Sequence, residues 1–223
     1  MLNRRSVLIA FSRRNRQRKA RLIQDFMRAQ DVQTVIFVGA ALGPERNESV
    51  VESSVAQGAR VLAACDVMPA RTSWPFVVGD GRALPFADKA ADLVMSNAVI
   101  EHVGDVEDQR QFVLEHARVG RMWVLTTPNR WFPVESHTGA AFRHWSAAWR
   151  ASRTKDFTRL LSRREFADLL PPGTRIRGGP LSPTFIAFSH AHPSGRADAR
   201  GDGHAGPGRC CDTAQAGERA EHS

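Results

Sequence analysis

Gly79-Asp80-Gly81-Arg82-Ala83-Leu84-Pro85-Phe86, continuing through Ala91-Asp92-Leu93-Val94-Met95-Ser96-Asn97 to Ile100-Glu101-His102-Val103, is the stretch that decides the fold. A strand end runs into an acidic Gly-Asp-Gly turn, and a polar loop with a proline follows. A second apolar strand, Ala91 to Met95, then opens into Ser96-Asn97 and a new apolar-faced segment. Open α/β sheets bind ligands beyond the carboxyl ends of their strands. Two such ends, carrying Asp80 and Asn97, form two walls of one expected site.

The flanking sequence supplies the rest of a sheet. Upstream, Thr34-Val35-Ile36-Phe37-Val38 is a β-branched and aromatic run broken by Gly39-Ala40-Ala41-Leu42-Gly43. Pro44-Glu45 suits a first helical turn, where a missing N–H costs nothing and a carboxylate favours the dipole; the helix reaches about Gln57 and closes at Gly58. Arg60 to Cys65, ending in Asp66, and Pro75 to Val78, ending in Gly79-Asp80, read as strands two and three. Downstream, a helix over about Val106 to Arg118 precedes a fifth strand, Arg121 to Thr126. Ser162 caps a helix over Arg164 to Leu170. Two short closing strands fall at Thr174–Arg177 and Thr184–Phe188. Strands alternating with helical segments indicate βαβ units and a parallel sheet. Right-handed crossovers then place the acidic and glycine turns on one edge.

The turns limit the ligand. A dinucleotide fingerprint needs Gly-x-Gly-x-x-Gly after the first strand, so that a pyrophosphate can approach the backbone at a helix N-terminus. Counting from Gly39, Ala41 and Pro44 stand at the second and third glycine positions, and the match fails. Asp66, ending strand two, can accept both hydroxyls of a ribose. Asp80, after strand three, is placed to accept from an adenine amine. Two acids without a phosphate motif describe an unphosphorylated adenosine, of which S-adenosylmethionine is the common example.

These residues carry a family resemblance. With Val35–Gly43, Cys65-Asp66-Val67-Met68-Pro69, Gly79–Phe86, Ala91–Asn97 with Val99–Val103, and Thr127-Pro128-Asn129-Arg130-Trp131, the chain resembles a class I S-adenosylmethionine-dependent methyltransferase of the type 11 small-molecule group over about residues 20–188. The resemblance implies an α/β, Rossmann-like three-layer αβα sandwich. Its mostly parallel seven-stranded sheet would have order 3-2-1-4-5-7-6, with strand seven antiparallel. It implies that Gly39, Ala40, Ala41 and Gly43 contact the methionine part and that Asp66 and Val67 meet the ribose. Asp80 and Gly81 would hold adenine, and Asn97 would offer its backbone to the methionine end. The implied activity is methyl transfer to a small-molecule or lipid-like acceptor by in-line displacement at the sulfonium. A general base would help a hydroxyl acceptor by about 10²–10⁴-fold; His102, His137 and Glu135 are the candidates. Two positions depart from the family pattern. Phe37 stands where an acid is usual, and Ala41 where a glycine is usual. A non-catalytic methyltransferase-fold protein acting as a binding or assembly subunit is the alternative they raise.

Composition sets the remaining bounds. At 42% hydrophobic residues the chain can build a soluble core, and no apolar run approaches the roughly 20 residues of a bilayer span. Val7–Phe11 is too short for a signal peptide and Arg13-Arg14 ends it without a cleavage site, so a cytoplasmic protein is expected. Cys65, Cys210 and Cys211 form neither a disulfide framework nor a zinc site, and no metal is expected. Residues 1–30 hold nine basic side chains against Asp25, which equals the net charge of +8 for the whole chain. A solvated basic arm and helix over residues 1–30 is the simplest reading, with contact to nucleic acid or anionic membrane as the functional one. Within it Leu22, Ile23, Phe26 and Met27 mark one face of a helix over about Arg14 to Ala29, whose arginines should face water. Ser96-Asn97-Ala98-Val99 stands where enzymes acting on base amines carry an Asn-Pro-Pro-Tyr type of motif, which argues against nucleobase chemistry. The methyltransferase domain is expected over 31–189, with a Trp-rich covering insertion at 128–153 that is helical over Ala140 to Trp149. A disordered tail is expected over 190–223.

Overall fold

A computed structural model of the chain describes residues 4–40, 50–134, 142, 145, 146, 148 and 159–189, with side chains described from residue 10 onward. The expected first turn at Pro44-Glu45, most of the expected covering helix and the tail lie outside the described residues. The elements, in chain order, are α1 (Arg4–Ala29), β1 (Thr34–Val38), α2 (Val50–Ala56), β2 (Arg60–Asp66), β3 (Phe76–Val78) and β4 (Ala91–Asn97). A 3-10 turn (Ile100–His102) follows, then α3 (Val106–Val119), β5 (Gly120–Pro128), α4 (Arg163–Leu169), β6 (Arg175–Arg177) and β7 (Thr184–Phe188). The seven strands form one sheet of order β3-β2-β1-β4-β5-β7-β6. All neighbours up to β5 pair in parallel, and β7 pairs antiparallel with both β5 and β6. The expected fold class is the observed one.

Side-chain alternation divides the core into two layers. Val35 and Phe37 of β1, Leu93 and Met95 of β4, Val124 of β5 and Ile186 and Phe188 of β7 pack with Ile23 and Met27 of α1 and Val51 and Val55 of α2. Ile36, Val38, Val94, Leu125, Phe185 and Ala187 pack on the other face with Phe112 and Val113 of α3 and Phe166 of α4. Burying each large side chain of this kind contributes roughly 1.5–3 kcal/mol. Phe37 is one of them, with its ring 4.9 Å from that of Trp74. It fills the layer under α1 and α2 rather than leaving a gap at the edge.

Local chemistry ends and starts these elements. α1 stops where Asp31 takes φ +51°, and the Val32 N–H returns to the Met27 carbonyl at 3.0 Å. β1 and β4 are joined at their amino ends by Asp92, whose carboxylate accepts from the backbone of Gln33 and Thr34 and from the Thr34 hydroxyl. Ser162 caps α4 in a capping box with Glu165, as its position suggested. Asp105 and Asp108 do the same for α3. The loop after Gly81 is fastened to α3: the Leu84 N–H donates to Glu115 at 2.7 Å, and Arg118 donates to the carbonyls of Leu84 and Phe86. No helix among the described residues is long and apolar enough to cross a membrane.

Inside the α3 layer, His116 is fully buried and its Nδ1–H donates to the Phe112 carbonyl at 2.8 Å. Burial pushes its pKa down to about 4. The unfolded chain therefore takes up a proton near pH 6.5 that the folded chain refuses until about pH 4. Stability present above pH 6.5 should fall by about 3 kcal/mol across this window. Denaturant titrations at pH 7 and pH 4.5 should show His116→Leu losing markedly less stability than the parent; an equal loss in both proteins would show that other groups carry the acid sensitivity.

Candidate functional site

The carboxyl ends of β1 to β5 bring the expected residues to one edge. Gly39 follows β1 directly and its N–H donates to the Cys65 carbonyl at 2.7 Å, while the Gly79 N–H donates to the Asp66 carbonyl at 2.9 Å. The turns carrying Gly39, Asp66 and Gly79–Gly81 are thus neighbours. Gly39 has φ +74°, and a Cβ there would lie 2.3 Å from Cγ2 of Val99. Ala40 is buried beside it. Gly81 also needs its missing side chain, because a Cβ would lie 2.4 Å from the Phe112 ring. Its glycine is required by core packing.

The two acids differ in state. Asp66 ends β2 and accepts the Met68 N–H at 3.1 Å, next to Val67 and Met68, which are 60% and 69% exposed. That leaves an acid beside an open apolar step. Asp80 is already engaged. Arg82 donates to it from Nε and Nη2 at 3.0 and 2.6 Å, and reaches Asp108 at 2.7 Å. The Arg82 guanidinium holds the Asp80 carboxyl below the usual carboxylate range. An adenine amine at Asp80 would add a donor to a carboxylate whose charge is already partly balanced.

Asn97, the last residue of β4, was expected to contribute its backbone. Its side chain proves to be the centre of a buried network. Oδ1 accepts from Lys19 Nζ at 2.5 Å and from the Thr126 hydroxyl at 2.8 Å, and Nδ2 donates to Glu52 Oε1 at 2.8 Å. The next residue, Ala98, sits at φ +58° and turns its N–H back to the Thr126 carbonyl at 3.0 Å. Lys19 is 6% exposed and Glu52 7%. Burial pulls the Lys19 pKa down to about 8, against the opposing pull of the Glu52 and Glu101 carboxylates, so the amine stays protonated at neutral pH. Burial likewise pushes the Glu52 carboxyl up.

Neither Lys19 nor Glu52 was singled out from sequence. From sequence Lys19 reads as part of the solvated basic arm, and its burial in the structure corrects this. Asn15, Lys19, Ile23 and Met27 follow one another at i+4 down the face of α1 that meets the sheet. Asn15 bonds Thr184 at 2.9 Å, while Ile23 and Met27 are buried. Arg13, Arg14, Arg18, Arg21 and Arg28 are exposed as expected. The apolar stripe, extended one turn toward the N-terminus, was the available signal. α1 also begins about ten residues earlier than its stripe suggested, and Phe11 stacks on Phe132 at 5.7 Å.

His102 lies in the 3-10 turn after β4 with its side chain exposed at the same edge. Ala41, Gly43, Glu135 and His137 lie outside the described residues. Beyond β5, Asn129 is structural: its Nδ2 donates to the carbonyls of Pro180 and Ser182, both at 2.8 Å. Arg130 and Arg159, at the two roots of the covering segment, both bond Glu165 of α4. The exposed rings of Trp131, Phe142 and Trp145 contact one another between these roots.

The sheet order is the one that the resemblance to class I S-adenosylmethionine-dependent methyltransferases implies. Residues 42–122 match the family described as a methyltransferase domain. No curated protein sequence matches the chain. Among solved structures, a protein of Pyrococcus horikoshii covers 78% of this chain and 89% of its own at 14% identity, with a TM-score of 0.52. A SAM-dependent methyltransferase of Methanosarcina mazei covers 71% of this chain and 92% of its own at 12% identity, with a TM-score of 0.47. At such identities the likeness is one of fold.

Proposed function

We propose that this chain transfers a methyl group from S-adenosylmethionine to a small-molecule or lipid-like acceptor. The observation that carries the reading is the pair of acids on neighbouring strand ends, Asp66 and Asp80, beside exposed Val67 and Met68 and without a phosphate-binding glycine pattern. Charged acceptors for hydroxyls and an amine, set on an apolar step, match an unphosphorylated adenosine. When bound, the cofactor supplies an activated methyl on its sulfonium. The residues of this chain would then bind and orient. Gly39 admits close approach after β1, Asp66 accepts the ribose hydroxyls, and Asp80 with Gly81 borders the base. Orientation of this kind recovers roughly 7–11 kcal/mol of barrier in well-aligned reactions. The exposed aromatic residues Trp131, Phe142 and Trp145 beyond β5 suit an acceptor with an apolar body. His102, and with it Glu135 and His137, stay as proton acceptors for a hydroxyl nucleophile.

Phe37 favours a second reading, a methyltransferase fold that binds without turning over, since no carboxylate stands at that position. One titration tests the shared premise. Calorimetry should show S-adenosylhomocysteine binding, and saturation at 100 times the dissociation constant should stabilise the protein by about 2.7 kcal/mol. No heat and no thermal shift at millimolar ligand would reject both the cofactor and the enzyme. Binding without turnover on any acceptor offered would favour the second reading.

A further inference from the structure

Lys19 and Glu52 meet through the Asn97 carboxamide rather than with each other, which leaves a polar group of each without a hydrogen-bond partner among the described residues. Lys19 has three N–H donors and, among the described residues, bonds Asn97 at 2.5 Å and Thr126 at a long 3.4 Å. Glu52 uses Oε1 for Asn97, while Oε2 is buried with no hydrogen-bond partner among the described residues. Buried charges are normally paired or fully hydrogen-bonded. Here one spare N–H of Lys19 and one spare carboxyl oxygen of Glu52 stand on either side of a single amide. The register Val38 with Ser96 puts that amide level with the Gly39 turn, at the ends of β1 and β4. Thr126 carries the network one strand further, to β5.

We propose that Lys19 and Glu52 form a clamp for an α-amino acid zwitterion, Lys19 taking the carboxylate and Glu52 the ammonium, with Asn97 holding both side chains in place. On the reading proposed above, on which this inference rests, the zwitterion is the methionine end of the cofactor. An α-amino acid is the simplest ligand that presents both charges a few atoms apart, and it satisfies the spare donor and the spare acceptor together. A simple anion would leave Glu52 unanswered, and a simple cation would leave Lys19. The clamp also makes α1 part of the binding site, since Lys19 reaches it from the helix face shared with Ile23 and Met27.

The test compares ligands with and without the amino acid. The wild-type protein is titrated by calorimetry with S-adenosylhomocysteine, with 5′-methylthioadenosine, which keeps the adenosyl group and lacks the amino acid, and with methionine. The clamp requires S-adenosylhomocysteine to bind at least about 100-fold more tightly than 5′-methylthioadenosine, from two charge-assisted contacts. Glu52→Gln, which keeps the bond to Asn97, and Lys19→Met should each weaken S-adenosylhomocysteine by about 10- to 100-fold and leave 5′-methylthioadenosine within about twofold. Equal affinity of the two nucleosides in the wild-type protein would overturn the clamp, and this arm needs no variant to fold. Variants that lower the melting temperature but keep the wild-type affinity ratio would also overturn it, as a purely structural network. Binding of neither nucleoside would instead reject the cofactor reading. Methionine binding in that case would leave the clamp standing as an amino acid site of another origin; no binding of any of the three would reject both.

Discussion

Asp66→Ala is expected to weaken S-adenosylhomocysteine binding by about 10²- to 10⁴-fold. Two hydroxyls donating to one carboxylate make two charged hydrogen bonds, each contributing about 1.5–3 kcal/mol. Among the described residues the side chain bonds only the Met68 N–H two positions on, so little folding stability depends on it. A loss of affinity with an unchanged melting temperature is therefore the result that supports the ribose assignment. Unchanged affinity would remove it. Asp80→Ala should cost less, even though both acids come from the same pattern in the sequence. The Arg82 guanidinium already makes three contacts with the Asp80 carboxylate, its backbone N–H adds a fourth, and Nη1 reaches Asp108, so an incoming amine meets a partly neutralised acceptor. Calorimetry on the two variants side by side ranks them, and an effect larger at Asp80 than at Asp66 would mean the base, not the sugar, anchors the nucleoside.

Gly39→Ala is expected to destabilise the fold by about 3 kcal/mol. An L-residue at φ +74° costs on the order of 1 kcal/mol, and a methyl group forced into Val99 adds roughly 1–3 kcal/mol. Against a typical stability of about 5–15 kcal/mol this is a large fraction. Val99→Ala removes the struck methyl groups, so the double variant should be more stable than the sum of the single losses by about 1 kcal/mol or more. Urea titrations of the four proteins measure this directly. Strict additivity would show that the dihedral alone excludes side chains at position 39, and a tolerated Gly39→Ala would show that the turn relaxes away from Val99.

Much of this protein was legible in its sequence because the signals were local. The β-branched run Thr34–Val38 and the apolar run ending in Asp66 are strands, because a parallel strand covered on both faces reads as a continuous apolar run. Ser162 with Glu165 caps a helix because both partners lie within one turn. Asp66 and Asp80 sit at neighbouring strand ends because parallel strands joined by right-handed crossovers deliver all such ends to one edge. The failure of the pyrophosphate pattern after Gly39 was equally readable, since it depends on residue types within a single turn.

What the sequence left undecided depends on which distant side chains meet. Lys19 looks like one more cation in a basic arm until α1 is laid on the sheet. Its i+4 line with Ile23 and Met27 then carries it inward to Asn97, 78 residues away. Glu52 and Phe37 exchange expectations for the same reason. The residue placed to be an acid fills the core against Trp74, and the carboxylate at this edge comes from the first turn of α2. Asp80 reads as a free acceptor until Arg82 folds back on it and bridges to Asp108 on α3. Chain order alone settled the sheet and its ligand-facing edge, because those follow from short-range pattern and chirality. The charge state and partners of the groups at that edge were decided only by tertiary packing, because desolvation and hydrogen bonding between remote residues set them.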